Sequence, residues 1–143
     1  MLGEIQAYAN DVRRTSLRSV MEADPQKKAD QRVKHDASLA KLTSALNAYE
    51  TLISSPDERK LHESMKRSWV SYMVQDSKLL ELSEGGDGDF STARALAIGD
   101  SSTAFGAVLK PIVDGVQLNR QGTVDARAPQ RPIIILHLCR SLF

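Results

Sequence analysis

The chain has 143 residues, 41% hydrophobic and 26% charged, and its 19 basic and 18 acidic side chains leave a formal net charge of +1. That length suits one domain with a real core, and the near-neutral balance gives no reason to expect a nucleic-acid partner. No run reaches the roughly 18 apolar residues of a membrane span. The start, Gly3-Glu4-Ile5-Gln6, does not read as a signal peptide, and the single Cys139 excludes an internal disulfide framework.

The first segment, from Leu2 to about Glu22, places Leu2, Ile5, Ala9 and Val12 at steps of three and four, which is a helical face. Asp24-Pro25 then resets the chain, with Asp24 as N-cap and Pro25 at the first helical position. A second helix is expected from about Gln26 to Ser54. Its residues Leu39, Leu42, Leu46, Tyr49 and Ile53 form a heptad-like seam suited to shallow-angle contact with another helix.

The stretch Ser54-Ser55-Pro56-Asp57-Glu58 stops that helix and starts the next. Ser55 caps, Glu58 sits where a capping-box carboxylate reaches back, and Pro56 takes the first position, where its missing N–H costs nothing. Two helices joined so tightly are expected to lie antiparallel and side by side. The third runs from about Pro56 to Glu84, with Leu61, Met65, Trp69, Tyr72 and Leu79 inward.

Gly85-Gly86-Asp87-Gly88-Asp89 ends the third helix. Gly85 fits a left-handed position, and Asp87 or Asp89 can cap the next helix. The fourth helix is expected from Phe90 to about Gly122, with Phe105, Leu109, Ile112, Val116 and Asn119 in step. Pro111 should kink it or remove one backbone bond. Beyond Ala128-Pro129 the pattern stops. The apolar run Ile133 to Leu138 reads as a short strand, a sticky tail or sequence foreign to the domain. The expected fold is therefore an all-α, antiparallel up-down-up-down four-helix bundle over residues 1–127, with an irregular or non-native tail over 128–143.

Enzyme readings fail on spacing. His62-Glu63 begins like a zinc-protease helix, but Lys66 stands where the second histidine belongs. Glu58 is followed three residues later by Leu61, so no di-iron Glu-x-x-His pair forms there. No Gly-x-Ser-x-Gly elbow holds a serine, and Gly85-Gly86-Asp87-Gly88 lacks the Lys-Ser/Thr of a phosphate loop. Cys139 has no base beside it. No catalytic residue, metal or cofactor is expected. His35 and His62 are expected on the solvated surface.

Arg13, Arg14 and Arg18 form the constellation that stands out. Arg14 and Arg18 are one turn apart on one face and Arg13 flanks them. Guanidinium forks match carboxylates in bidentate fashion, while the plainer reading is a solvated basic face. Ser101, Ser102 and Thr103 can cap a local kink or offer hydroxyls to a ligand. Trp69 and Tyr72 are expected in the core; with Tyr8 they would equally line an apolar wall for an aromatic ligand.

The helix Leu2-Gly3-Glu4-Ile5-Gln6…Asp11-Val12-Arg13-Arg14, the turn Tyr49-Glu50-Thr51-Leu52…Ser54-Ser55-Pro56-Asp57-Glu58-Arg59, the Trp69…Tyr72 pair and the glycine–aspartate link resemble the ligand-binding domain of methyl-accepting chemotaxis proteins. The resemblance covers about Leu2 to Arg127. It implies a periplasmic sensory domain between two membrane helices, working as a homodimer. It also implies a small organic or aromatic acid held across the dimer interface by arginines of the first helix. On these positions Arg13, Arg14 and Arg18 match the arginines, and Ser102 and Thr103 lie near the place where a threonine contacts ligand. The family's first helix begins earlier and its fourth continues into a second span, so the chain is expected to be an isolated sensory fragment whose membrane contact lies in parts not present. The same bundle serves histidine kinases and cyclases, and a structural or adaptor bundle without a small ligand is the remaining alternative.

Overall fold

The computed structural model describes residues 1–85 and 89–127, the latter without the side chain of Arg127. Five helical segments succeed one another: α1 (Leu2–Met21), α2 (Pro25–Glu50), α3 (Pro56–Glu84), α4 (Phe90–Ile98) and α5 (Asp100–Arg127). They form an all-α four-helix bundle in which α4 and α5 together make the fourth leg. Residues 128–143, including the apolar run and Cys139, lie outside the described residues, as do Gly86, Asp87 and Gly88.

Local chemistry explains the helix starts. The Asp24 carboxylate accepts from the N–H groups of Gln26 (2.8 Å) and Lys27 (3.3 Å), satisfying two of the four orphan donors of α2. At α3 the capping box is complete. Ser55 Oγ accepts from Glu58 N–H at 3.2 Å, and Glu58 Oε2 accepts from the N–H groups of Ser54 (2.8 Å) and Ser55 (3.1 Å) and from Ser54 Oγ (2.9 Å). The Ser54 backbone donor leads these bonds in holding the Glu58 carboxyl below its ordinary range.

Several sequence expectations need correction. Helix α2 stops at Glu50, four residues before Ser54. Gly85 is not left-handed, at φ −78° and ψ 1°; its lack of a side chain matters because the Asp89 carboxylate lies where a Cβ would stand. Asp89 occupies the N-cap position of α4 without a side-chain cap bond. The fourth leg breaks at Gly99, while α5 runs helical through the buried Pro111. Asn119 faces solvent, and Val108 joins Phe105 and Ile112 inside.

The α2–α3 hairpin is antiparallel, as Lys28–Ser83, His35–Asp76 and His62–Leu46 contacts across it demonstrate. The closest backbone approaches, however, are α1 on α2 and α3 on α5. Two hydrophobic clusters result. The larger joins four helices through Leu2, Ile5, Val12, Leu42, Leu46, Tyr49, Met65, Trp69, Tyr72, Phe105 and Ile112. Within it Gly115 lets α5 approach closely, since a Cβ there would meet Leu2 Cδ1 at 3.2 Å and Met65 Cε at 3.4 Å. The smaller, near the α1–α2 turn, consists of Val20, Leu79, Ala93 and Ala97, with Leu17, Leu82 and Leu96 against it; α2 contributes nothing.

Candidate functional site

Between the two clusters the inward seam turns polar. On α1 the steps Val12, Ser16, Ser19 continue the core face; on α3, Tyr72 leads to Asp76; on α2, His35 precedes Leu39 and Leu42; on α5, Ser101 precedes Phe105. The Asp76 carboxylate is completely buried. Its Oδ1 accepts from Ser16 Oγ at 2.5 Å and Tyr72 OH at 2.9 Å, and its Oδ2 accepts from His35 Nε2 at 2.7 Å. Three donors, one of them cationic, are what a carboxylate removed from water requires.

His35 and His62 were expected at the surface, and both are buried, with exposures of 3% and 1%. His35 donates from both ring nitrogens, its Nδ1 lying 3.0 Å from Asp36 Oδ1. Two carboxylate acceptors require the imidazolium, because a neutral ring has one N–H. Burial opposes that charge, but the hydrogen bonds and negative charges of Asp76 and Asp36 prevail, and the His35 pKa lies above 6.5. Burial, with the same carboxylate added to it, pushes the Tyr72 hydroxyl far up. His62 donates from Nε2 to the Leu46 carbonyl at 3.2 Å and meets the Tyr49 ring edge-on.

The three arginines take different directions. Arg13 turns inward. Its Nη1 donates to Ser101 Oγ at 2.5 Å and its Nη2 to the Ala97 carbonyl at 2.7 Å, on the two sides of the Gly99 break. The guanidinium lies 5.5 Å from the Phe105 ring centroid and 6.0 Å from that of Tyr72, within cation–π reach. Arg14 and Arg18 are exposed on one face of α1, and Arg14 pairs with Asp11 at 2.8 Å. Ser102 and Thr103 are exposed in the first turn of α5. The Arg13–Ser101 bond sets that turn level with Arg13 and Arg14 along the bundle axis. Trp69 and Tyr72 are core residues, and Tyr8 is partly buried against the cluster they belong to.

The sequence analysis did not single out Asp76 and Ser16, and it placed His35 at the surface and gave Ser101 a kink-capping or ligand role rather than a place in this layer. The signal was present: each occupies the next three- or four-residue step of a stripe already identified.

The fold and this layer define a class, a helical bundle whose inner polar groups bind one another and whose first helix carries two exposed arginines one turn apart. A sequence model of the four helix bundle sensory module for signal transduction matches residues 1–129, and the chain belongs to that family. It is a sensory module of the methyl-accepting chemotaxis type, a family typically non-catalytic and typically placed outside the cell membrane in membrane receptors. No curated protein and no solved structure matches the chain significantly. Among the described residues no helix is long and apolar enough to cross a membrane.

Proposed function

We propose that the chain is the periplasmic ligand-binding domain of a bacterial chemoreceptor, a homodimer that holds a small organic acid through first-helix arginines. The observation that carries this reading is that Arg14 and Arg18 are exposed one turn apart on α1, with the exposed hydroxyls of Ser102 and Thr103 in the α5 turn that lies level with Arg14. Arg14 and Arg18 supply bidentate carboxylate donors. Ser102 and Thr103 supply neutral ones. Arg13 has two nitrogens committed to Ala97 and Ser101, so its part is to position α5 beside α1. The exposed stripe Gly3, Ala7 and Asn10 below the arginines carries small side chains, which permits a second α1 to approach closely.

A ligand bridging α1 of one subunit and α5 of its neighbour acts near the Gly99 break, whose two sides Arg13 holds through Ala97 and Ser101. Binding favours one arrangement of α5 over another by the difference in affinity for the two, and a displacement of about 1–2 Å is enough at such an interface. Isothermal titration against di- and tricarboxylates and aromatic acids tests this, together with sedimentation of the chain with and without ligand. The expected result is a hit that promotes the dimer and is lost in Arg14→Ala and Arg18→Ala. Unchanged affinity of every hit in both variants rejects the assigned site.

A further inference from the structure

We propose that the groove between the end of α1, the first turns of α2 and the last turn of α3 is a second ligand site, contained within one subunit, for a small carboxylate with an apolar body. The cavity measures about 570 Å³, within the range of small-molecule sites, roughly 300–1,000 Å³. Leu80 and Ala29 give it apolar walls, and Lys28 and Arg32 stand on one side.

Ser19 points to an occupant. Ser19 lines the groove and is 3% exposed, and its buried hydroxyl makes no hydrogen bond among the described residues. A buried hydroxyl without a partner is costly, and a ligand oxygen in the groove would relieve it. The two cations have unspent capacity. Lys28 Nζ donates to the Ser83 carbonyl at 2.5 Å, and among the described residues it meets no carboxylate within ion-pair distance. Arg32 lies 3.6 Å from Glu84 and 4.0 Å from Asp36, beyond good hydrogen-bond distance of either. Glu84 is exposed, and a ligand carboxylate would compete with it for Arg32.

This site does not depend on the interface reading. Ser19 faces the interior of one subunit, whereas Arg14 and Arg18 face outward. The decisive experiment is amide and methyl NMR of the labelled 143-residue chain titrated with benzoate, with uncharged benzamide as the control. Benzoate should shift Ser19, Ala29 and Leu80 saturably, and benzamide should not. Ser19→Ala and Arg32→Gln should each weaken benzoate about tenfold, the loss expected for a hydrogen bond to a charged group. Ser19→Ala removes an unpartnered hydroxyl, so the apo melting temperature should hold or rise, and a loss of affinity then reports on the ligand. Equal shifts with benzamide, or undiminished binding in both variants, overturn the proposal. Shifts confined to Arg14, Arg18 and Ser102 overturn it while favouring the interface site, and shifts confined to the groove do the reverse.

Discussion

The two halves of α2 are held by different forces. From Leu42 to Tyr49 the helix buries Leu42, Leu46 and Tyr49 in the large cluster. From Pro25 to Lys34 no residue is fully buried, and what ties it to α3 is the Lys28–Ser83 bond and the Arg32–Glu84 pair, with His35–Asp76 as the boundary. A buried Leu or Tyr side chain stabilises by about 1.5–3 kcal/mol, whereas an exposed ion pair contributes about 0–1 kcal/mol. One end of the helix is fixed, and the other is free to open at low cost. A sensory bundle is served by that division, since a region that responds to small binding energies has to come from the less stable end of the molecule.

Substitutions can sharpen or break this contrast. The largest loss is expected for His35→Ala, which leaves the buried Asp76 carboxylate without its cation; about 3–5 kcal/mol is the usual scale for breaking a buried pair. Urea unfolding measures it. A loss below about 1 kcal/mol would mean that water reaches Asp76 and that the boundary between the two halves is not closed. Leu42→Ala should come next at about 2–5 kcal/mol, against a loss within about 0.5 kcal/mol for Val33→Ala, at an exposed site of the same helix.

The pH dependence has a definite sign. The folded pKa of His35 is raised, so the stabilisation from its charge is fully present below the unfolded value near 6.5 and is lost as pH rises through the folded value. Stability should therefore fall on raising pH from 6.5 toward mild alkali. His35→Gln, which keeps a donor but does not titrate, should flatten that slope in parallel urea series. Ser55→Ala, which removes the α3 cap, should cost about 1 kcal/mol by the same measurement. A small effect on global stability accompanies the clearest local one. Arg32→Gln should change unfolding by less than about 1 kcal/mol yet speed amide hydrogen exchange over residues 28–34, leaving residues 42–49 protected. Equal protection of both halves in the parent chain would remove the contrast altogether.

Much of the bundle was legible in the chain. The stripes at three and four residues located the helices, and the Asp24 and Ser55 caps located two of their starts, because capping and amphipathic periodicity are local properties. Reading the stripes only through their apolar members hid the polar layer: Asp76 falls between Tyr72 and Leu79, Ser16 lies one turn beyond Val12, and His35 precedes Leu39. A charged residue on an inward step looks like an interruption until its partners on other helices are known. The arginines were visible as a cluster, but not their division into one inward and two outward groups. That depends on where Ala97 and Ser101 of the fourth leg arrive.

The order of the residues alone determined an all-helical chain, the hairpin at residues 54–58 and the family it belongs to. Those arise from hydrogen bonds and hydrophobic spacing within a few residues of one another. Tertiary structure decided that the fourth leg bends at Gly99 and that two histidines are buried, one of them as a cation. It also decided that Arg13 serves the fold while Arg14 and Arg18 face solvent. Each of these turns on whether a group removed from water meets its complement, and the complement lies on another helix, distant in the chain.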